Sequence, residues 1–194
     1  MGAIRHGVWP DGTALLVMPS AEYGSIGPDD LGALVSWIKS MPSVDSEPLK
    51  QRVGPLGRAL YLAGDVPLLA AEVVDHDDLP FGQPEVGVTT EYGAYIASSC
   101  VGCHSLDYAG GPIPGMRPEF PAAGNLTPGI DTGIGTWTEA DFMSFFATGV
   151  RPDGRQVEPQ FMPWLPLGQA MADVEKQAVW MFLRSLPPMP MGGG

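Results

Sequence analysis

Cysteine, histidine and positive charge are scarce in this chain of 194 residues: two Cys, three His, and ten Lys and Arg against 22 Asp and Glu. Two cysteines as close as Cys100 and Cys103 cannot build a disulfide framework. A formal net charge of −12 excludes nucleic acid as a partner, because phosphate contacts depend on Lys and Arg. An acidic surface suits a basic protein partner and salt-sensitive docking, or serves solubility alone. No run of about 18 apolar residues occurs, so no membrane span is expected in this chain. Met1 to Gly12 also lacks an apolar stretch as long as a secretory signal requires.

Glycine and proline are abundant, at 26 and 21 residues, while hydrophobic residues make up 44% of the chain. The first figure favours turns over regular structure, and the second is enough for a buried core. No convincing strand pattern is present. Four helices are expected. Asp29 and Asp30 open one that runs to Ser40, with Leu31, Leu34, Val35 and Ile38 on one face. Thr90 caps a second, Glu91 to Ser99. Thr138 and Asp141 form a capping-box start for Glu139 to Ala147. The last runs from Asp173 to Ser185, ahead of Pro187 and Pro188.

The chain partly repeats itself. Gly7-Val8-Trp9-Pro10-Asp11-Gly12 returns as Gly149-Val150-Arg151-Pro152-Asp153-Gly154, and Met18-Pro19 returns as Met162-Pro163. Ile38-Lys39-Ser40-Met41-Pro42 then matches Leu183-Arg184-Ser185-Leu186-Pro187. Three matched blocks in one order mark an internal repeat. The second copy is preceded by about fifty residues that have no counterpart before the first. Residues 1–46 therefore read as the back half of a domain, 47–86 as an acidic, proline-containing linker, and 87–190 as a complete domain.

Both cysteines and one histidine fall within Cys100-Val101-Gly102-Cys103-His104. Two thiols separated by two residues can each add to a vinyl group of one porphyrin, which holds His104 beneath the iron as proximal ligand. One covalently bound haem c per chain is expected, and a loop-rich fold organised around so large an apolar group reconciles the glycine and proline content with the apolar content. A thioredoxin-type redox pair would follow a strand, where a helix is expected here. Zinc would need a fourth ligand and usually a second paired motif.

The second axial ligand is expected to be Met162. It lies 58 residues beyond His104, stiffened by Pro163, and the repeat keeps Met18-Pro19 in the equivalent place. An ordinary core methionine is the competing reading. Met116, in a Gly/Pro-rich loop, and His76, on the acidic linker, are weaker candidates. Haem attachment to such a motif takes place outside the cytoplasm. The expected location is therefore the periplasm or the outer face of the cytoplasmic membrane, with a leader removed or the natural N-terminus missing from this sequence.

From about Thr90 to Pro188 the chain resembles a class I monohaem cytochrome c domain. It is most similar to those in the multi-haem cytochrome subunits of membrane-bound bacterial alcohol and sugar dehydrogenases. The likeness rests on Cys100 to His104, Gly110-Gly111, Asn125-Leu126-Thr127-Pro128 and Thr132-Gly133-Ile134-Gly135-Thr136-Trp137. Further on it rests on Asp141-Phe142, the Gly149 to Gly154 turn, Met162-Pro163-Trp164 and Leu183 to Pro188. Residues 1 to about 76 resemble the end of a preceding cytochrome domain with its linker in dihaem members, through Gly54 to Ala59 and Asp75-His76.

The resemblance implies an all-α cytochrome c fold, preceded by a partial second cytochrome c-like domain that lacks its own attachment motif. It implies that the helices at 90–99 and 173–185 pack across each other. It implies an electron carrier rather than an enzyme, working in a respiratory chain with a dehydrogenase, an oxidase or another cytochrome. The preferred account of residues 1–46 is an N-terminally truncated dihaem cytochrome, ahead of a processed chain or a split domain that another subunit completes. The alternative is a haem enzyme or gas sensor with an open distal site.

Asn125 and Trp137 are implied to lie near the haem, where either can donate to a propionate or serve packing alone. A carbonyl within Gly111 to Pro114, a segment that includes Pro112, is implied to accept the His104 Nδ1 proton. Trp164 stands where relatives commonly have tyrosine, which forfeits the phenolic hydrogen bond.

Overall fold

The computed structural model describes residues 2–16, 18–45, 52–64, 66, 68–77, 82–113, 116–117 and 119–192. Among them the regular structure is helical, and extended backbone pairs only at isolated bridges. The chain divides into two compact units, Met1–Gln83 and Pro84–Gly194. No helix among the described residues is long and apolar enough to cross a membrane.

The first unit holds α1 (Gly2–His6), α2 (Ser20–Tyr23), α3 (Pro28–Ser40), α4 (Pro55–Ala63) and a 3₁₀ turn at Ala70–Val73. Part of the expected linker belongs to this unit. Leu16 bridges Leu69, Ala70 N–H donates to the Leu15 carbonyl at 2.9 Å, and a Cβ on Gly7 would sit 2.6 Å from that of Ala70. His76 also meets this unit, its Nδ1 lying 3.0 Å from His6 Nδ1 while its Nε2 faces the Ala71 carbonyl at 3.0 Å. Trp37 and Ile38 of α3 are 63% and 43% exposed within the chain, as an unpartnered helix face would be.

The second unit holds α5 (Thr90–Ala97), a 3₁₀ turn at Ser98–Cys100, α6 (Val101–His104), α7 (Glu139–Thr148), α8 (Trp164–Ala170) and α9 (Asp173–Ser185). The cap of α5 differs from the sequence expectation by one residue. Thr89, not Thr90, is the extended N-cap, and its Oγ1 accepts from Tyr92 N–H at 3.1 Å. Either threonine satisfies the pattern, and the backbone conformation decides between them. Thr138 and Asp141 form the expected reciprocal capping box on α7. At the start of α9, Glu175 reaches back to accept from Ala172 N–H.

α5 and α9 pack across each other at Gly93. A Cβ there would overlap the Ala178 carbonyl and stand 2.8 Å from Phe182 Cβ, so only glycine permits the approach. Phe142, Phe145 and Phe146 of α7, Trp164 of α8, and Val179 and Leu183 of α9 complete the core with Ala97, Tyr108 and Ile134.

The internal repeat is a repeat of structure. Gly7 and Gly149 both have positive φ (62° and 69°), as do Gly12 and Gly154 (85° and 82°). Val8–Ala14 and Val150–Gln156 form matching bridges. Leu15 N–H donates to Gly7 O in one copy and Val157 N–H to Gly149 O in the other, at 2.7 and 2.9 Å. Pro19 and Pro163 share φ −78°, with ψ 51° and 53°, and each preceding methionine carbonyl accepts a 2.8 Å hydrogen bond, from Ser20 and Trp164 N–H respectively.

Replacing Gly93 with valine should force α5 off α9. The expected loss is about 2–3 kcal/mol of stability, seen as a lower thermal midpoint, while a change at exposed Gly12 to Asn should be mild.

Candidate haem-binding site

The attachment motif is helical throughout. Ser98–Cys100 continues α5 as a 3₁₀ turn and Val101–His104 is one α turn, so both thiols and the imidazole project from successive turns. Cys100 is half-buried against the core and Cys103 is exposed. Burial pushes the Cys100 thiol up to about 11, with a smaller upward push from Cys103.

His104 is buried, and its Nδ1 lies 2.7 Å from the Gly124 carbonyl, to which it donates. This corrects the sequence expectation, which placed the acceptor within Gly111 to Pro114. The physical reason is the bridge between Gly111 and Ala123. It consumes the Gly111 N–H and carbonyl in two 2.9 Å hydrogen bonds and presents the next residue, Gly124, to the ring. Pro112 is exposed, and Pro114 lies outside the described residues.

With Nδ1–H committed to a carbonyl, the lone pair of His104 resides on Nε2, the tautomer an iron ligand requires. Burial holds this imidazole below its ordinary value, and the bond to Gly124 offsets only part of that.

The chain leaves the motif through a strained turn. Ser105 and Tyr108 both adopt left-handed φ, 63° and 60°. Gly110 follows at φ 73°, where a Cβ would overlap the Ala123 carbonyl and lie 2.5 Å from the Gly124 oxygen. Tyr108 is buried edge-on to Phe182, and its phenol is pushed up to about 12, chiefly by burial.

Asn125 clamps the loop. Its Nδ2 donates to Thr132 Oγ1 (3.0 Å) and to the Met189 carbonyl (2.8 Å), and its Oδ1 accepts from Thr127 N–H and Oγ1–H (both 2.8 Å). Both amide hydrogens are therefore engaged inside the protein, which leaves none for a propionate. Trp137 is half-buried beside Phe145 at 5.8 Å, with the Arg151 guanidinium 5.7 Å from its ring centre. Trp164 recovers a hydrogen bond the sequence suggested it had forfeited, because its Nε1–H donates to Val157 O at 2.8 Å. Its ring packs so closely on Gly149 that a Cβ there would overlap it.

Met162 is half-buried against the same core as Cys100 and Trp164. The preceding Phe161 stacks edge-on against Phe120 at 5.0 Å, and both line an open cleft of about 610 Å³ with Met116, Arg117 and Glu119. Met116 is 54% exposed. The chemistry of this donor set fits haem c: two thiols on one helical turn, a buried imidazole with a fixed tautomer, and a thioether on the shared core. It does not fit a zinc centre, because among the described residues no three His, Cys, Asp or Glu side chains converge.

The architecture is an all-α cytochrome c fold. No protein-family model matches the chain. The chain resembles the cytochrome c subunit of a quinone alcohol dehydrogenase from Gluconacetobacter polyoxogenes, at 27% identity over 99% of this chain and 44% of the relative. The fructose dehydrogenase cytochrome subunit of Gluconobacter japonicus is 24% identical over 98% of this chain and 41% of its own length. The cytochrome c subunit of a quinone alcohol dehydrogenase from Gluconobacter oxydans is 29% identical over 51% of this chain and 22% of its length. The chain thus spans less than half of each of these relatives.

Two outcomes follow from this geometry. Asn125→Ala orphans Thr127 N–H and leaves the Met189 carbonyl only its 3.4 Å hydrogen bond from Thr127 Oγ1, and should cost about 2–3 kcal/mol in denaturant unfolding. A histidine held below its ordinary value takes up its proton more readily in the unfolded chain. Before haem is attached, His104 should therefore lower stability as pH falls below about 6.5, and that component should be missing from the pH dependence of His104→Gln.

Proposed function

We propose that the chain carries electrons through one covalently bound haem c, held by Cys100 and Cys103 and ligated by His104 and Met162. The observation that carries this reading is the His104 Nδ1–Gly124 hydrogen bond beside a C-x-x-C-H turn, since it commits Nδ1–H to a carbonyl and leaves Nε2 as the ligating atom of a neutral imidazole. The relatives' names, cytochrome subunits of alcohol and fructose dehydrogenases, support a role as a subunit or partner of a respiratory dehydrogenase, or of an oxidase that accepts its electrons. Attachment chemistry supports a location in the periplasm or on the outer face of the cytoplasmic membrane. In the same reading, residues 1–46 derive from a second cytochrome c-like domain.

The bound group supplies a one-electron iron couple. The residues do the rest. Gly124 fixes the plane of the His104 ring, and Pro163 fixes the backbone that carries the Met162 thioether. The aromatic residues of α7 and α9 exclude water from the core side. His104 and Met162 would hold the metal, and a soft sulfur ligand such as Met162 would favour its reduced state and raise the potential. The acidic surface steers a basic docking partner.

The test is expression through a c-type maturation system, with a pyridine haemochrome count and a reduced-minus-oxidised spectrum. One haem c per chain is expected, with slow or no carbon monoxide binding at neutral pH. Met162→Ala should open the iron to carbon monoxide and lower the midpoint potential. Fast, stoichiometric carbon monoxide binding by the unaltered chain would favour an enzyme or sensor with an open site.

A further inference from the structure

His6 and His76 face each other in the first unit. Their Nδ1 atoms are 3.0 Å apart, with the rings tilted by 32° and their centroids 5.2 Å apart. His76 Nε2 lies 3.0 Å from the Ala71 carbonyl. A carbonyl only accepts, so the hydrogen of neutral His76 sits on Nε2 and its Nδ1 turns a bare lone pair toward His6. A close-fitting backbone holds the pair. Gly7, the residue after His6, has φ 62°, and a Cβ on it would stand 2.9 Å from the Ala71 nitrogen. Ala70 N–H is bound to Leu15 O, and Leu16 bridges Leu69.

The repeated turn does not itself need a histidine. The position equivalent to His6 is Thr148, whose hydroxyl donates to Ser144 O at 2.8 Å and accepts from Val150 N–H at 3.2 Å. The cover over the following glycine also differs. Gly149 lies under the Trp164 ring, whereas the matching Gly7 lies under the backbone of Ala70 and Ala71. In the place of Trp164 stands Ser20, buried, its hydroxyl donating to the Ala3 carbonyl at 3.2 Å. Histidine thus occurs in the copy whose covering segment brings a second imidazole, and threonine in the copy covered by a side chain.

We infer, independently of the haem c reading, that His6 and His76 form a two-imidazole site for a divalent late transition-metal ion of the copper(II) or nickel(II) class. Two nitrogens bound at a right angle, each about 2.0–2.1 Å from one ion, lie about 2.9 Å apart, against about 3.3 Å for a tetrahedral pair. The 3.0 Å between the two Nδ1 atoms matches adjacent corners of a tetragonal ion, the geometry of copper(II) and nickel(II) with nitrogen and oxygen donors. Ligating histidines give their other N–H to a carboxylate, a carbonyl or water, as His76 does to Ala71. In the observed contact His6 Nδ1–H donates to His76 Nδ1. With an ion bound, His6 carries that hydrogen on Nε2 instead, and both neutral rings present Nδ1 to the metal. Among the described residues no third His, Cys, Asp or Glu completes the group, so water takes the remaining positions. Asp75 and Asp77 flank His76, and the formal charge of −12 on the chain favours a cation.

The experiment uses the full chain after maturation, oxidised and freed of metal by dialysis, as wild type, His6→Asn and His76→Asn. Copper(II) is the probe, followed by calorimetry and electron paramagnetic resonance. Alkylating Cys100 and Cys103 in any haem-free fraction keeps copper from those thiols, so the outcome does not hang on haem attachment. The wild type should take one copper(II) at this place, its signal split by two imidazole nitrogens, and nickel(II) should compete for it. Each variant should bind at least about a hundredfold more weakly, because two ligands on one frame act together. The nitrogen count is read on the wild type, so the test survives a variant that fails to fold. Fewer than two imidazole nitrogens in the wild-type signal, or folded variants that hold copper as tightly as the wild type, would overturn the assignment.

Discussion

The bond from His104 Nδ1 to the Gly124 carbonyl is the constraint from which the rest of the site follows. It joins the one-turn helix of the attachment motif to a loop twenty residues further along, and it requires the two backbones to approach closely. Gly110 permits that approach, because any side chain there would meet the Ala123 and Gly124 carbonyls. The Gly111–Ala123 bridge sets the register, and Asn125 ties the next residues to Thr127, Thr132 and Met189. A single imidazole is thus oriented by a chain of contacts that runs to the C-terminal segment. Buried polar atoms on this path are satisfied by one another, which gives the loop one conformation rather than several.

The segment around Met162, the proposed second ligand, is built differently. Its turn, its bridge and its Met-Pro corner form again around Gly7, Gly12 and Pro19, with φ and ψ matched at the proline to within a few degrees. The conformation is therefore written locally, in the glycines with positive φ and the fixed φ of proline. One half of the site is made by long-range contacts and the other by a self-sufficient loop.

This difference explains what the sequence disclosed. The Thr138–Asp141 box, the span of α9 and the correspondence of Met18-Pro19 with Met162-Pro163 are encoded within a few residues, and they were legible. The cap of α5 was displaced by one position because Thr89 and Thr90 offer the same hydroxyl, and only the extended backbone of Thr89 separates them. The carbonyl facing His104 was misplaced because it depends on a two-residue bridge between Gly111 and Ala123, for which a glycine-rich loop gives no periodic signal. Asn125 was found as a site residue from its motif. Its consumption in loop hydrogen bonds could not be read without knowing that Met189 returns to it.

For an electron carrier, the separate origins of the two halves have a consequence. Charge transfer is fast when the surroundings rearrange little between the two oxidation states. The Pro163 corner gives the Met162 thioether, the proposed ligand, a backbone that holds its shape by local geometry, while Gly124 and the packed α5–α9 crossing hold the imidazole. Neither support has to be recruited by the metal, because each is satisfied within the polypeptide. The same logic accounts for a fold so rich in glycine and proline. Where the backbone must approach itself or turn sharply to frame a large planar group, helices cannot serve, and residues with unusual or fixed φ carry the precision that regular structure supplies elsewhere.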